Sequence, residues 1–235
     1  MTQQQITVLS GAGMSAESGI RTFRDAGGLW EEHRVEDVAT PEAWHRDSQL
    51  VLRFYNDRRK QLLEAAPNAG HNALRHLEQR FDVRIITQNV DDLHERAGSS
   101  SVLHLHGELR KARSTGPSQR VLEIEGHLLN WGDRCPEGFQ LRPHIVWFGE
   151  EVVEMPNAAS IVMQSDAVII VGTSMNVYPA NGLVRYAPRH APVWVIDPNA
   201  TELHQVGRAT VIAEKAGVAL PRLVERLLKG GLKEG

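Results

Sequence analysis

Four segments of this 235-residue chain set polar side chains directly behind apolar runs. Ile6 to Leu9 feeds Ser10-Gly11-Ala12-Gly13-Met14-Ser15-Ala16, then Glu17-Ser18-Gly19. Glycines there let the backbone turn tightly and approach a phosphate, and N–H groups at a following helix start hold an anion. Gly11, Gly13 and Ala16 satisfy the dinucleotide fingerprint G-x-G-x-x-G/A. No acidic residue follows at the usual distance to take a ribose hydroxyl, and a plain tight turn reads as well. Val83 to Thr87 leads into Gln88-Asn89-Val90-Asp91. Those amides and that carboxylate suit a ribose and a carboxamide, or simply cap the short helix that follows. Val102 to His106 alternates like a strand, with His104 and His106 on one face and Leu103 and Leu105 on the other. His106 ends that strand before Gly107, which permits a sharp turn into a cleft. Ala167 to Val171 leads into Gly172-Thr173-Ser174, a source of N–H and hydroxyl donors or an ordinary turn.

A fifth candidate lies on a helix expected from Ser48 to Ala66. Val51, Tyr55, Arg58 and Leu62 are spaced four, three and four, on one face. Val51 and Leu62 point that face inward, so Arg58 stands where an apolar residue belongs. Either its stem packs while the charge reaches solvent, or it waits, buried, for a carboxylate, with the Tyr55 hydroxyl one turn earlier serving the same anion.

The elements that must position these residues alternate strand, turn and helix. Helices are expected at Asn68–Arg80, Asp91–Ala97 and Pro221–Lys229, the last with proline at its start, and another strand at Val193–Asp197. Buried strands alternating with helices predict an α/β fold with a doubly wound, mostly parallel, Rossmann-like sheet, and ligands outside the carboxyl ends of its strands. Glu31–Pro67, mostly helical, and Leu109–Pro143, rich in turns, break the alternation and read as insertions forming a smaller lobe. The expected division is a larger lobe of about residues 1–30, 68–108 and 144–235, and a smaller one of about 31–67 and 109–143.

Net charge is −3 with no basic block, so nucleic acid is not an expected partner. Cys135 is the only cysteine, which excludes an internal disulfide and fits a reducing setting. The short polar start lacks a signal peptide's basic and apolar regions. No stretch reaches the roughly 18 apolar residues of a membrane span. A cytoplasmic location is expected.

Gly11-Ala12-Gly13-Met14-Ser15 with Ser18-Gly19-Ile20 and Phe23-Arg24 resembles the signature of the sirtuin family. Gln88-Asn89-Val90-Asp91, His106-Gly107, Val146-Trp147-Phe148-Gly149-Glu150, and Gly172-Thr173-Ser174 followed by Val177 and Pro179 extend the match in family order over most of the chain. The resemblance implies an NAD-dependent protein-lysine deacylase. His106 would be the general base, its imidazole suited to taking a proton from a ribose hydroxyl near neutral pH. Asn89 and Asp91 would orient the nicotinamide and its ribose together with Gln88 and Val90. Gly11, Ala12, Gly13, Ser15, Ser18 and Gly19 would hold NAD, with Thr22, Phe23, Arg24 and Trp30 as a flap over it. Gly172, Thr173 and Ser174 would meet the adenosine-side ribose or phosphate, Asp197, Pro198 and Asn199 the adenine ribose, and Ala216 the adenine. Val146, Trp147 and Phe148 would line a groove for the substrate peptide. The acyl-lysine oxygen attacks the sugar as nicotinamide leaves, and the products are lysine, nicotinamide and O-acyl-ADP-ribose.

Tyr55-x-x-Arg58 resembles the pair that marks desuccinylase and demalonylase sirtuins, and Ala39 matches the small residue of their wide acyl pocket. Removal of succinyl, malonyl or similar groups is therefore expected, with deacetylation alongside. The usual two Cys-x-x-Cys pairs are missing. Arg113 stands at about the place of the first ligand, so no structural zinc is expected. Leu122, Ile124, Leu128, Leu129 and Trp131 are expected to cluster instead. An ADP-ribosyltransferase using the same pocket, or a non-catalytic NAD or ADP-ribose sensor, are the rival readings.

Overall fold

The computed structural model describes residues 3–20, 29–30, 33–173, 180–200 and 209–232, with only the backbone given for 29–30 and 180–181. In chain order it comprises β1 (Gln5–Ser10), α1 (Gly13–Ala16), β2 (Leu29–Trp30), β3 (His33–Arg34), α2 (Val35–Val38), α3 (Pro41–Arg46), α4 (Ser48–Glu64), α5 (Ala69–Leu77), β4 (Asp82–Thr87) and α6 (Leu93–Arg96). There follow β5 (Val102–His104), β6 (Gly107–Ser114), β7 (Val121–Glu123), β8 (Leu141–Ile145), α7 (Met155–Met163), β9 (Ala167–Val171), a 3-10 turn (Ala180–Tyr186), β10 (Val193–Ile196), β11 (Thr210–Ile212) and α8 (Ala216–Gly230).

Six strands form one parallel sheet in the order β11-β10-β9-β1-β4-β5. Its central strands are mostly apolar and almost wholly buried, as a sheet covered on both faces requires. Side chains alternate between the faces. Ile6, Val8, Val83, Ile85, Ile169 and Val171 join a core shared with α5 and α8, while Leu9, Ile86, Val168 and Ile170 join one shared with α7 and the 3-10 turn. The chain runs outward from β1 to one edge through β4 and β5, then returns to the other side of β1 for β9. The strand order therefore reverses between β1 and β9, the place where such sheets open a crevice. Ser10 lies in register with both Thr87 and Val171, and Val171 with Ile196. The residues that follow those four strands thus emerge on one edge.

The crevice is built by backbone against backbone. Gly11 N donates to Val171 O at 3.0 Å and Gly13 N to Gly172 O at 2.8 Å. A Cβ on Gly172, whose φ is +62°, would stand 2.2 Å from Met14 N, and one on Gly11 2.8 Å from Gly172 O. Only glycine permits this approach together with that backbone angle.

The second sheet is antiparallel and three-stranded, β7-β6-β8. It occupies the segment expected to be turns. Its strands are short, broken by a bulge between Gly107 and Ala112, and one carries Pro143, tolerated because β8 is an edge. With α2, α3 and α4 it surrounds a third core that contains Val51, Tyr55, Leu62, Leu109, Leu141 and Trp147. Of the cluster expected here, Ile124 and Leu129 are buried and Leu122 packs partly against them. Leu128 and Trp131 are more than half exposed and lie outside it.

One helix boundary and one strand boundary bear on the site and differ from the sequence reading. α8 begins at Ala216 and takes Pro221 into its interior. Proline there removes one intrahelical hydrogen bond, but the stripe Ala216, Ala219, Leu220, Leu223, Val224 and Leu227 is buried on both sides of it, and packing prevails. β5 ends at His104, so His106 lies in a bend beyond the strand.

Candidate active site

The bend at His106 is set by Gly107, whose φ is +81° and where a Cβ would stand 2.0 Å from His144 O. β6 departs there beside β8, and Val146 N donates to His106 O at 2.9 Å. The half-buried His106 ring is turned back toward the segment after β4, with Nδ1 3.0 Å from the Gln88 carbonyl oxygen. A carbonyl can only accept, so Nδ1 carries the proton and Nε2 is left as the basic atom. Burial lowers the ring's pKa, an effect opposed by the Gln88 contact. The imidazole is therefore neutral at pH 7, the form a proton acceptor requires.

Gln88 to Asp91 is fixed to the glycine turn. Asn89 N donates to Thr87 Oγ1 at 3.0 Å, and Asn89 Nδ2 donates to Gly11 O at 3.1 Å and Ser15 Oγ at 3.0 Å. Asn89 and Asp91 are both buried. Asp91 Oδ1 accepts from Leu93 N at 3.2 Å, the helix-capping contact that its position allowed. Burial raises the Asp91 pKa, and its hydrogen bonds with the Ser15 hydroxyl and Leu93 N and the nearby His104 work against that rise. Val90 O accepts from Leu109 N at 2.8 Å, tying the segment to β6.

Within the turn Gly11–Ser15, the amides of Gly11, Gly13, Met14 and Ser15 all donate to backbone carbonyls. Among the described residues only the exposed Ala12 N–H is left open. The sequence reading expected several free amides, and the contact with Gly172 consumes one of them. Ser18 Oγ accepts from Asn68 Nδ2 at 3.1 Å, and Gly19, with φ +86°, has nothing within 4 Å of where a Cβ would stand.

The acyl candidates lie on α4, α2 and the chain after β8. Arg58 is 7% exposed and Tyr55 1%, so the guanidinium does not reach solvent. The Arg58 guanidinium carbon lies 5.8 Å from the Phe54 ring centroid. Trp147 Nε1 donates to Tyr55 Oη at 3.0 Å. Burial pushes the Tyr55 phenol far above its ordinary pKa, with the Arg58 charge acting against that rise, and it stays protonated. Ala39 is buried, and its carbonyl accepts from Phe148 N at 3.0 Å. Phe148 is exposed and Val146 half-buried, as groove residues can be. Trp147 departs from its expected place. It is 2% exposed, packed against Trp44, with the Arg142 guanidinium 3.3 Å above its ring, so its side chain belongs to the interior.

An unbroken series of contacts thus runs from the glycine turn through Asn89, Gln88, His106 and Val146 to Phe148, Ala39, Trp147 and Tyr55. Asp197 closes its own turn, accepting from Asn199 N at 2.9 Å, while Pro198 and Asn199 are exposed. Ala216 is buried at the start of α8, in the core with Met14. Among the described residues Ala216 thus meets the turn only through the Met14 side chain, and no hydrogen bond joins Asp197, Pro198 or Asn199 to that series. Gly172 adjoins the turn directly, and Thr173 is buried, near enough that a Cβ on Gly11 would stand 2.8 Å from its own. Thr22, Phe23, Arg24 and Ser174 lie outside the described residues, and of Trp30 only the backbone, paired with His33, is described.

Three groups escaped the sequence reading. Arg59, beside Arg58, is completely buried and donates to Leu109 O, Asn56 Oδ1 and His127 O. Glu150 accepts from both Arg113 and Arg142 and from Trp147 N, so Arg113 is engaged in an ion pair. His104 joins Asn89 O to Glu95. The one available signal was His104 sharing a strand face with His106. The others depend on contacts between distant segments.

Residues 11–179 match the Sir2 family, the sirtuins. An NAD-dependent protein deacylase of Bacteroides thetaiotaomicron is 51% identical over 230 residues, covering 96% of this chain and 98% of that protein. An NAD-dependent protein deacylase of Escherichia coli is 47% identical, covering 100% of this chain and 86% of its own. Among solved structures, a Sir2 homologue–NAD complex superposes with a TM-score of 0.85 at 38% identity, covering 97% of this chain and 90% of that one. On these matches the chain belongs to the Sir2 family.

Proposed function

We propose that this protein is an NAD-dependent deacylase of acyl-lysine side chains in proteins, and that it removes succinyl, malonyl and similar acidic acyl groups as well as acetyl. The observation that carries the reading is the His106 ring, held by Gln88 O with Nε2 left basic on the edge where the glycine turn opens. The names of its relatives and of the Sir2–NAD complex support the cofactor and the reaction.

The residues present suit a dinucleotide. The turn leaves the Ala12 N–H open, and Gly11, Gly13 and Gly172 keep side chains out of the crevice floor. Gly11, Ala12, Gly13, Ser15, Gly172 and Thr173 would hold the phosphates and adenosine side, and Gln88, Asn89 and Asp91 the nicotinamide side. When bound, NAD would supply the electrophilic sugar carbon and take up the acyl group, so that acyl-lysine, NAD and one water would give lysine, nicotinamide and O-acyl-ADP-ribose. His106 Nε2 takes the proton of a ribose hydroxyl, while Gln88 O holds the ring in the required tautomer. Tyr55 and Arg58, both buried, with Tyr55 in the same core as Ala39, would offer a hydroxyl and a guanidinium to an acyl carboxylate.

The division into a larger lobe of about residues 1–30, 68–108 and 144–235 and a smaller one of about 31–67 and 109–143 fits the separate sheets and cores. The smaller lobe is proposed to hold together without zinc. Its supports are the Asn56 and Arg59 contacts to 127–129 and the buried Cys135, whose Sγ lies 3.2 Å from Ser114 Oγ. A reduced, buried Cys135 suits the cytoplasm.

A peptide panel from acetyl to glutaryl, with and without NAD and read by mass spectrometry, tests the reaction. Arg58→Met tests the pocket. Desuccinylation is expected to fall at least about 30-fold, ~2 kcal/mol, with deacetylation changed little. An equal fall in both would remove the acidic-acyl assignment while leaving deacylation standing.

A further inference from the structure

His104 is buried between two acceptors. Its Nδ1 lies 2.9 Å from the Asn89 carbonyl oxygen and its Nε2 2.8 Å from Glu95 Oε1. A carbonyl oxygen cannot donate, and Glu95, whose carboxyl is held low by His104 against the opposing effect of burial, is ionised. Both ring nitrogens therefore donate, which only an imidazolium can do. His104 and His106 grip successive carbonyls, Asn89 O and Gln88 O, of the segment that carries Asn89 and Asp91.

The surrounding charges agree. From α6, Glu95 faces the ring, and His94, bonded to Ser10 Oγ at 3.0 Å, is kept neutral by burial. From β6, Glu108 faces it, itself paired with Lys111 at 2.8 Å, while Asp91 faces it from the segment after β4. Burial disfavours the cation, but Glu95, Glu108 and the Asn89 carbonyl together outweigh that cost and raise the His104 pKa.

We propose that His104 is a positioning residue of the deacylation reaction, acting as a cation that pins the Gln88–Asp91 segment beside His106, and that loss of its proton sets the alkaline limit of turnover. His106 works neutral and His104 works charged, so kcat rises with pH through the first and falls through the second. Protonation of two neighbouring histidines thereby brackets the working range.

The test is the pH profile of kcat for the full chain with an acetylated peptide and saturating NAD. Glu95→Gln keeps an acceptor for the ring but removes the charge, and its alkaline limb is expected about 0.5–1 pH unit lower than that of the unsubstituted protein. His104→Gln, neutral at every pH, is expected to lose that limb and to lower kcat about tenfold at pH 7, with KM for NAD and peptide within about twofold. A ring-nitrogen NMR titration is expected to show His104 doubly protonated at pH 7. An alkaline limb that Glu95→Gln leaves unmoved, or a His104 ring found neutral at pH 7, overturns the proposal. The Glu95 variant and the titration decide the matter even where His104→Gln fails to fold.

Discussion

The indole N–H of Trp147 and the phenolic oxygen of Tyr55 are hydrogen-bonded across 3.0 Å in a region closed to solvent. The Tyr55 oxygen is thereby used as an acceptor, and its own proton is left to give away. A succinyl or malonyl carboxylate is a fitting recipient, while an acetyl methyl is not. Trp147→Phe keeps the ring but deletes the donor. Desuccinylation kcat/KM is expected to fall about fivefold, ~1 kcal/mol, and deacetylation much less. Parallel assays on matched peptides measure the difference.

His106 must be neutral to accept a proton, and burial holds its pKa below 6.5. The acid limb of kcat/KM is therefore expected below pH 6.5, so that activity persists into mildly acidic buffer. His106→Ala is expected to lower deacylation by about 10²- to 10⁴-fold. NAD binding, followed by calorimetry, should survive the substitution. A variant that loses both together would mean that the ring holds the fold.

Acid sensitivity should arise elsewhere. His71 and His94 are wholly buried with ring centroids 4.8 Å apart, and His71 Nδ1 accepts from Asn68 N to complete the cap of α5. Burial lowers the His71 pKa from 6.5 to about 4 and that of His94 well below its ordinary value. Between those values the unfolded chain binds protons that the folded chain refuses. Stability is thus full above pH 6.5 and falls as pH drops toward 4, by up to ~1.4 kcal/mol per pH unit for each ring. Urea midpoints from pH 7.5 to 4.5 measure the slope, which His94→Gln should flatten.

The smaller lobe is expected to withstand chelation. Metal analysis should find far less than one zinc per chain, and EDTA should leave Tm unchanged. Asn56→Ala should matter more. Its amide bonds both Leu129 N and Leu129 O and also accepts from Arg59. Its loss leaves buried partners unsatisfied, at a cost of about 2 kcal/mol, visible in chemical denaturation.

The larger sheet was legible because its inner strands are buried on both faces and read as mainly apolar runs. β1, β4, β9 and β10 fell within a residue of their expected bounds at either end. The β6–β8 sheet was not, because its short strands carry proline, a bulge and many charged residues and take their order from pairing across more than twenty positions. Periodicity placed Tyr55 and Arg58 on an inward face, yet said nothing of Arg59, whose complete burial depends on carbonyls of Leu109 and His127. It likewise left the Trp147 side chain in the groove, since Trp44 and Tyr55, distant in sequence, hold it inside together with Arg142.

The proposed base and the proposed acyl-sensing pair sit on different scaffolding. His106 hangs from the β5–β6 bend and Tyr55 and Arg58 from α4, and residues 146–148 join them, by main-chain bonds to His106 and Ala39 and by the Trp147 side chain to Tyr55. The bond that reaches His106 is main-chain and indifferent to side-chain identity. Natural variation along α4 can therefore retune which modification is erased without retouching the chemistry that erases it, and a lineage can change its targets while inheriting its reaction intact.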